Sequence, residues 1–154
     1  MTAAHPHDAA IRTLYVQLLD GWNRRSGAGV AAVFADDGDI IGFDGSHHSG
    51  RLSIASDLRR IFGSHQTPAY VGLIRSVRSM TEGVAVLHAH AGMIPPGGND
   101  LDPALLTVHT LVAVEESPGR WKISLFQSTP AAWHGNEEAR VALLAELRGL
   151  LAPQ

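Results

Sequence analysis

The segment from Trp22 to His47 constrains the fold of this chain more than any other. Trp22-Asn23-Arg24-Arg25 ends a helix whose apolar residues, Ile11, Leu14, Tyr15, Leu18, Leu19 and Trp22, recur at the three- and four-residue steps of one helical face. Asp8 is the expected N-cap and Ser26-Gly27 the expected stop. A short helix follows, with Val30, Val33 and Phe34 on one side. Asp36-Asp37-Gly38 then turns the chain, Asp39 to Phe43 reads as a strand, and Asp44-Gly45-Ser46 as a second turn.

Ser49 is the expected cap of a third helix, with Ile54, Leu58, Ile61 and Phe62 facing inward and Gly63 and Pro68 punctuating its end. Four strand-like runs follow: Tyr70 to Met80, Val84 to Ile94, Leu105 to Glu115 and Trp121 to Ser128. Glu82-Gly83 and Pro118-Gly119 are hairpin-type turns, whereas Pro95-Pro96-Gly97-Gly98-Asn99-Asp100 reads as a longer, mobile connection. A last helix, about Glu137 to Leu151, carries Val141, Leu144, Leu147 and Leu151 as its apolar stripe. Helices first and an antiparallel meander later predict an α+β domain, one unit over residues 1–154.

On the Val84 run both parities are apolar: Val84, Val86 and Ile94 on one, Ala85, Leu87, Ala89, Ala91 and Met93 on the other. The Leu105 run is similar, with Val108, Val112 and Val114 against Leu105 and Leu111. A sheet with one wet face alternates apolar and polar residues, so both faces are expected to be covered. If the helices cover the concave face, the outer one becomes a subunit interface, which predicts a homodimer.

Composition excludes several functions. With 12 Lys and Arg against 15 Asp and Glu, the net charge is -3, and no basic face marks a nucleic-acid partner. There is no cysteine, hence no disulfide, thiolate metal site or cysteine nucleophile, as expected of a reducing cytoplasm. Met1-Thr2-Ala3-Ala4-His5-Pro6 lacks the basic and apolar regions of a secretory signal. No apolar stretch approaches the ~20 residues a membrane span needs.

The order and spacing of Trp22-Asn23-Arg24-Arg25, Phe34-Ala35-Asp36-Asp37-Gly38-Asp39, Gly42-Phe43-Asp44-Gly45-Ser46-His47, Val84-Ala85-Val86-Leu87-His88, His109-Thr110-Leu111-Val112-Ala113-Val114, Gly119-Arg120-Trp121-Lys122-Ile123 and Phe126-Gln127-Ser128-Thr129 resemble the nuclear transport factor 2-like superfamily. Within it they resemble the SnoaL-like group called SgcJ/EcaC. The resemblance implies a cone-shaped α+β fold, a curved mixed sheet wrapped around N-terminal helices with a C-terminal helix. It also implies a dimer and a pocket at the open end. Gly27-Ala28-Gly29 lies between helices, so no dinucleotide fingerprint accompanies it.

Aligned on the ketosteroid isomerases of that superfamily, the general-base aspartate falls on Gly42, the helix-one tyrosine on Leu18, and the proton-donating aspartate near His109. That isomerisation is therefore not expected. The His-His-Ser-Ser run of the iota-class carbonic anhydrases corresponds to Phe126-Gln127-Ser128-Thr129, which speaks against carbon dioxide hydration. The same alignment turns Leu87, Ala89 and Ala91 to the cavity, places His109 opposite Ala89, and turns His88 and His90 outward, so the three histidines are not expected to form a zinc site.

His109 is the leading candidate for chemistry: a neutral imidazole in an apolar pocket can accept a proton or donate to an oxyanion. Its alternative is a histidine satisfied by Ser124 or Ser128. Ser128, and Asp44 at the cone mouth, would orient a ligand or His109, although an aspartate before Gly-Ser also suits an Asx-turn. His47-His48 reads as a solvated turn. Tyr15, Trp22, Ile40, Leu58, Phe62, Leu87, Ala89 and Phe126 are the expected lining for a flat apolar molecule, or else plain core. Small side chains at Ala85, Ala89 and Ala91 favour a pocket by leaving volume. The expectation is a cofactor-free, metal-free acid–base enzyme (cyclase, isomerase or hydratase) acting on a polyketide-like molecule. The alternatives are a non-catalytic binding or accessory protein, or a dimeric scaffold.

Overall fold

The computed structural model describes residues 7–151; the expectation about Met1 to Pro6 lies outside them. Its helices are α1 (Asp8–Asn23), α2 (Gly27–Ala31), α3 (Arg51–Ser64) and α4 (Glu137–Arg148). Its strands are β1 (Phe34–Ile41), β2 (His47–Ser49), β3 (Ala69–Thr81), β4 (Val84–Ile94), β5 (Thr107–Ser117) and β6 (Arg120–Pro130). They form one sheet in the order β2-β1-β6-β5-β4-β3. Only β1 against β6 is parallel. The sheet curves around the N-terminal helices, giving the α+β cone expected from the sequence.

The stripe on α1 explains the packing. Ile11, Leu14, Tyr15, Leu18 and Leu19 are buried, and they join Leu87, Leu111, Ile123 and Phe126 from the concave sheet face in one core. Removing that apolar surface from water is the main stabilisation. Asp8 does not cap the helix. It is the first helical residue and pairs with Arg12 at 2.6 Å, one turn on. Ser26 caps the following helix rather than stopping the preceding one, its Oγ accepting from the Gly29 amide at 2.9 Å.

Two local readings are corrected around β1. Asp36-Asp37-Gly38 is not a turn before the strand but an irregularity within it, where the register against β6 shifts between Phe34 and Asp39. Asp36 and Asp37 are exposed, while Gly38 packs so closely that a Cβ would lie 2.7 Å from the Ile123 carbonyl oxygen. His47 and His48 do not form a solvated turn; with Ser49 they make β2, in which His48 pairs with Ile40. Ser49 is not the cap of α3. Gly50, at φ 90°, takes that position, and the Ser49 hydroxyl donates to Asp39 Oδ1 at 2.6 Å.

The fourth helix corrects a larger assumption. Its buried residues are Leu143, Leu144 and Leu147, whereas Val141 is exposed. They form a second cluster with Leu101 and Leu106, against Val71, Leu73 and Ile94. Gly92 faces outward between His90 and Ile94, and a Cβ there would sit 2.8 Å from Leu101 and 3.1 Å from Leu147. Thus α4 covers one end of the convex face, which the helices were expected to leave bare. The Pro95 to Asp102 connection is tied down at its far end by buried Leu101 and by Asp100, which pairs with Arg148 at 3.0 Å.

Candidate functional site

The open end of the cone holds a cavity of about 270 Å³, at the small end of ligand-binding cavities. Its wall is mostly apolar. Leu18 and Trp22 come from α1, Val30 from α2, Leu58 and Ile61 from α3, Ile40 from β1, Met93 from β4 and Phe126 from β6. Five polar residues border it in two groups: Tyr70 and Ser128 on the sheet, and Asp44, Ser46 and His48 at the β1–β2 mouth.

Of the residues singled out from the sequence, Trp22, Ile40, Leu58, Phe126, Ser128 and Asp44 stand together on this wall. Phe62 packs edge-on against Trp22, ring centroids 5.1 Å apart. Tyr15, Leu87, Ala89 and His109 are packed in the core outside the wall. The volume beside Ala85 and Ala89 is filled core rather than cavity.

His109 faces the inside of the cone, paired with Ala89 on one side and Ser128 on the other. It is completely buried. Its partner is neither Ser124 nor Ser128 but Tyr15, whose hydroxyl lies 2.8 Å from Nδ1. Burial pushes the imidazole down to about 3, so the ring is neutral near pH 7. Burial likewise pushes the Tyr15 phenol up, so it keeps its proton. A buried phenol needs an acceptor, and Nδ1 supplies it; the ring proton therefore sits on Nε2. Nε2 has no hydrogen-bond partner among the described residues. The rings of Phe126 and Tyr70 pack against the imidazole, with centroids 4.8 and 4.9 Å away.

On the cavity side, burial also raises the Tyr70 phenol, with the neighbouring Ser128 hydroxyl pulling it partly back. Both groups are thus neutral hydroxyls in an apolar wall. Asp44 makes the Asx-turn: its Oδ1 accepts from the Ser46 amide at 3.0 Å, and that bond holds its carboxyl below the usual range.

His48 was missed from the sequence. It shares the inward side of the sheet edge with its partner Ile40, and its Nδ1 lies 2.8 Å from Asp57 Oδ2 on α3. The hydrogen bond from His48 is the main reason the Asp57 carboxyl titrates low. Tyr70 and Met93 were missed as lining. The period-two pattern puts Met93 on one parity with Ala89 and Ala91, but it does not say which end of a strand meets the open mouth.

His88 and His90 lie on the outer face, opposite Thr110 and Val108. His90 Nδ1 accepts from Arg75 Nε at 2.9 Å. No cluster of three metal-ligating side chains occurs among the described residues. No helix there is long and apolar enough to cross a membrane. A wider depression of about 760 Å³ lies on the α1–α2 flank. Of the charged groups around it, Arg24 pairs with Asp20 at 2.8 Å and Lys122 donates to the Ala32 carbonyl at 2.8 Å.

No family model and no curated protein matches the chain. Solved structures do. A domain of unknown function with a cystatin-like fold from Nostoc punctiforme is 24% identical, with a TM-score of 0.76 over 96% of this chain and 99% of that one. A ketosteroid isomerase-like protein from Erwinia carotovora atroseptica is 15% identical, with a TM-score of 0.62 over 80% and 95%. A nuclear transport factor 2-like protein of unknown function from Shewanella oneidensis is 16% identical, with a TM-score of 0.59 over 77% and 95%. At these identities the likeness is one of fold: the chain has the nuclear transport factor 2-like, cystatin-like architecture.

Proposed function

We propose that the cone binds a small, flat, largely apolar molecule bearing an oxygen function, as a SnoaL-like protein of the SgcJ/EcaC type would bind a polyketide-like compound. The observation that carries this reading is the composition of the cavity wall: aliphatic and aromatic side chains from both helices and sheet, with two neutral hydroxyls, Tyr70 and Ser128, side by side. Apolar surface supplies affinity and a few placed polar groups fix orientation. The ligand's oxygen sits against Tyr70 and Ser128. His109 supports this wall from behind through Phe126 and Tyr70, and its low basicity suits a packing role better than proton transfer.

The test is titration of the protein with 2-naphthol, a two-ring molecule with one hydroxyl, followed by calorimetry. Saturable binding with one site per chain is expected. Met93→Trp, which fills the cavity, abolishes it, and Ser128→Ala weakens it by about three- to tenfold, the loss of one hydrogen bond. No saturable heat with the unmodified protein overturns the reading.

We also infer that a second copy covers the part of the convex face beyond α4. Val84, Val86, Val112, Val114 and Leu125 share that face, lined up across β4, β5 and β6. Val86 is buried and the others are half-buried, and among the described residues no helix or strand lies over this apolar strip.

A further inference from the structure

The mouth of the cavity holds a pair of side chains that the sequence did not connect. His48 lies on β2 and Asp57 on the second turn of α3, and they meet because β2 pairs with β1 while α3 packs across it. The imidazole side chain is 13% exposed and the carboxylate 27%, with 2.8 Å between Nδ1 and Oδ2. The Arg60 guanidinium approaches the other carboxylate oxygen, Oδ1, at 3.4 Å. Asp57 is thereby held as a carboxylate, which can only accept. It takes the Nδ1 proton of a neutral His48 and leaves Nε2 with its lone pair. The ring borders the cavity. His109 has the opposite arrangement: its Nδ1 is the acceptor, its Nε2 carries the proton, and it is sealed from the cavity.

We propose that His48 is the general base of the cone, with Asp57 as its positioning residue. The substrate class is an apolar ring molecule with a proton made acidic by a neighbouring electron-withdrawing group. This rests on the cavity reading above and adds chemistry to it. In the step, Nε2 forms a bond to the proton as the C–H or O–H bond breaks. The electron pair left behind moves into the substrate, toward an oxygen that Tyr70 or Ser128 can hydrogen-bond. The imidazolium, paired with Asp57, then gives its proton back to product or to water. No co-reactant is consumed. Positioned general bases of this kind contribute roughly 100- to 10,000-fold.

The charged and titratable groups around His48 are few. Asp57 and Arg60 approach from α3 and Asp44 from the β1–β2 turn. On the adjoining strand, Asp39 is engaged with His47 and Ser49.

The probe is 5-nitrobenzisoxazole, a flat apolar molecule. A base removes its C3 proton; the C–H electron pair completes a nitrile, the N–O bond breaks, and the oxygen leaves as a coloured phenolate. The full chain is expected to accelerate this opening above free imidazole at equal concentration. His48→Gln, which keeps a polar side chain of similar reach, lowers kcat at least 100-fold while 2-naphthol binding is retained. Asp57→Asn lowers kcat about tenfold with little change in KM, and Asp57→Glu, which keeps the carboxylate, recovers part of that loss, a rescue that a purely structural role would not produce. Retained 2-naphthol binding and an unchanged circular dichroism spectrum show that each variant is folded. If 2-naphthol does not bind the unmodified chain, the cavity reading fails. If it binds but the probe is not turned over, or is turned over equally by His48→Gln, the cavity stands and the base is not His48.

Discussion

The Tyr15 hydroxyl and His109 Nδ1 meet at 2.8 Å in the middle of the cone, 94 residues apart in the chain. The bond joins the first helix to the centre of the sheet. It also sets the tautomer of a ring that has no other hydrogen-bond partner among the described residues. Tyr15→Phe leaves both imidazole nitrogens unpaired in an apolar interior, and an unmatched buried polar group costs about 1–3 kcal/mol. Urea unfolding should show a loss of that size with the same m-value. A loss near zero would mean that His109 finds another partner at no cost.

The same ring makes the fold acid-sensitive. Its folded value, about 3, lies below the ~6.5 of an unfolded histidine. The unfolded chain therefore binds the extra proton between those values. Stability is fully present above about pH 6.5 and falls as pH drops toward 3, by at most about 1.4 kcal/mol per pH unit from this one group. His109→Gln should flatten the stability–pH curve between pH 6 and 4.5 relative to the unmodified chain. Parallel curves would place the proton-linked loss elsewhere.

Close approach, rather than chain flexibility, explains Gly72. This residue is extended within β3 and opposite Ala91, and a Cβ on it would lie 2.4 Å from the Tyr15 hydroxyl and 2.8 Å from Leu19 Cδ1. Gly72→Ala must push α1 outward or turn the phenol away from His109. Overpacking of this kind costs about 1–3 kcal/mol. Calorimetric melting should show a lowered Tm, and Tyr15→Phe should then add less than its separate effect, because the two changes break the same contact.

The fourth helix is held by polar contacts as well as by its leucines. Arg75 on β3 makes two bonds of 2.8 Å to Glu146, and its Nε donates to His90 Nδ1 at 2.9 Å. Both partners of the ion pair are partly exposed, so solvent screening leaves the pair a modest contribution. Arg75→Ala should change global stability little, yet raise amide exchange selectively in 137–148. Uniform exchange across the sheet would contradict a local clamp.

What could be read from the sequence was what repeats. The stripe from Ile11 to Trp22 located α1, while on the Val84 run, apolar on both parities, it was the alignment on the ketosteroid isomerases that turned Leu87, Ala89 and Ala91 inward and His88 outward. Features that depend on distant pairing were not visible. Asp36-Asp37-Gly38 has the local chemistry of a turn, and only β6 alongside makes it an irregular stretch of strand. A three-residue strand such as β2 has no period to detect, so His48 looked like loop and its bond to Asp57 could not be foreseen. Nor does an apolar stripe on the last helix say which face of the sheet it will cover. The outer parity looked like a subunit interface throughout, whereas α4 takes one end of it.

The remaining convex strip gives the last test. Val112 lies at its centre, opposite Val86 on one side and Leu125 on the other. A carboxylate there points away from the core, so Val112→Glu leaves the concave packing intact. If two copies meet on this strip, each interface would bury that charge without a partner, which association cannot tolerate cheaply. Multi-angle light scattering at micromolar concentration should give a dimer for the unmodified chain. Val112→Glu should raise the dissociation constant at least tenfold, with an unchanged circular dichroism spectrum. Arg78→Glu, on the same face but farther out on β3, controls for charge alone and should change association less. A monomer in the unmodified protein would leave the strip as ordinary half-covered sheet surface, and would remove the dimer from the account of how this cone works.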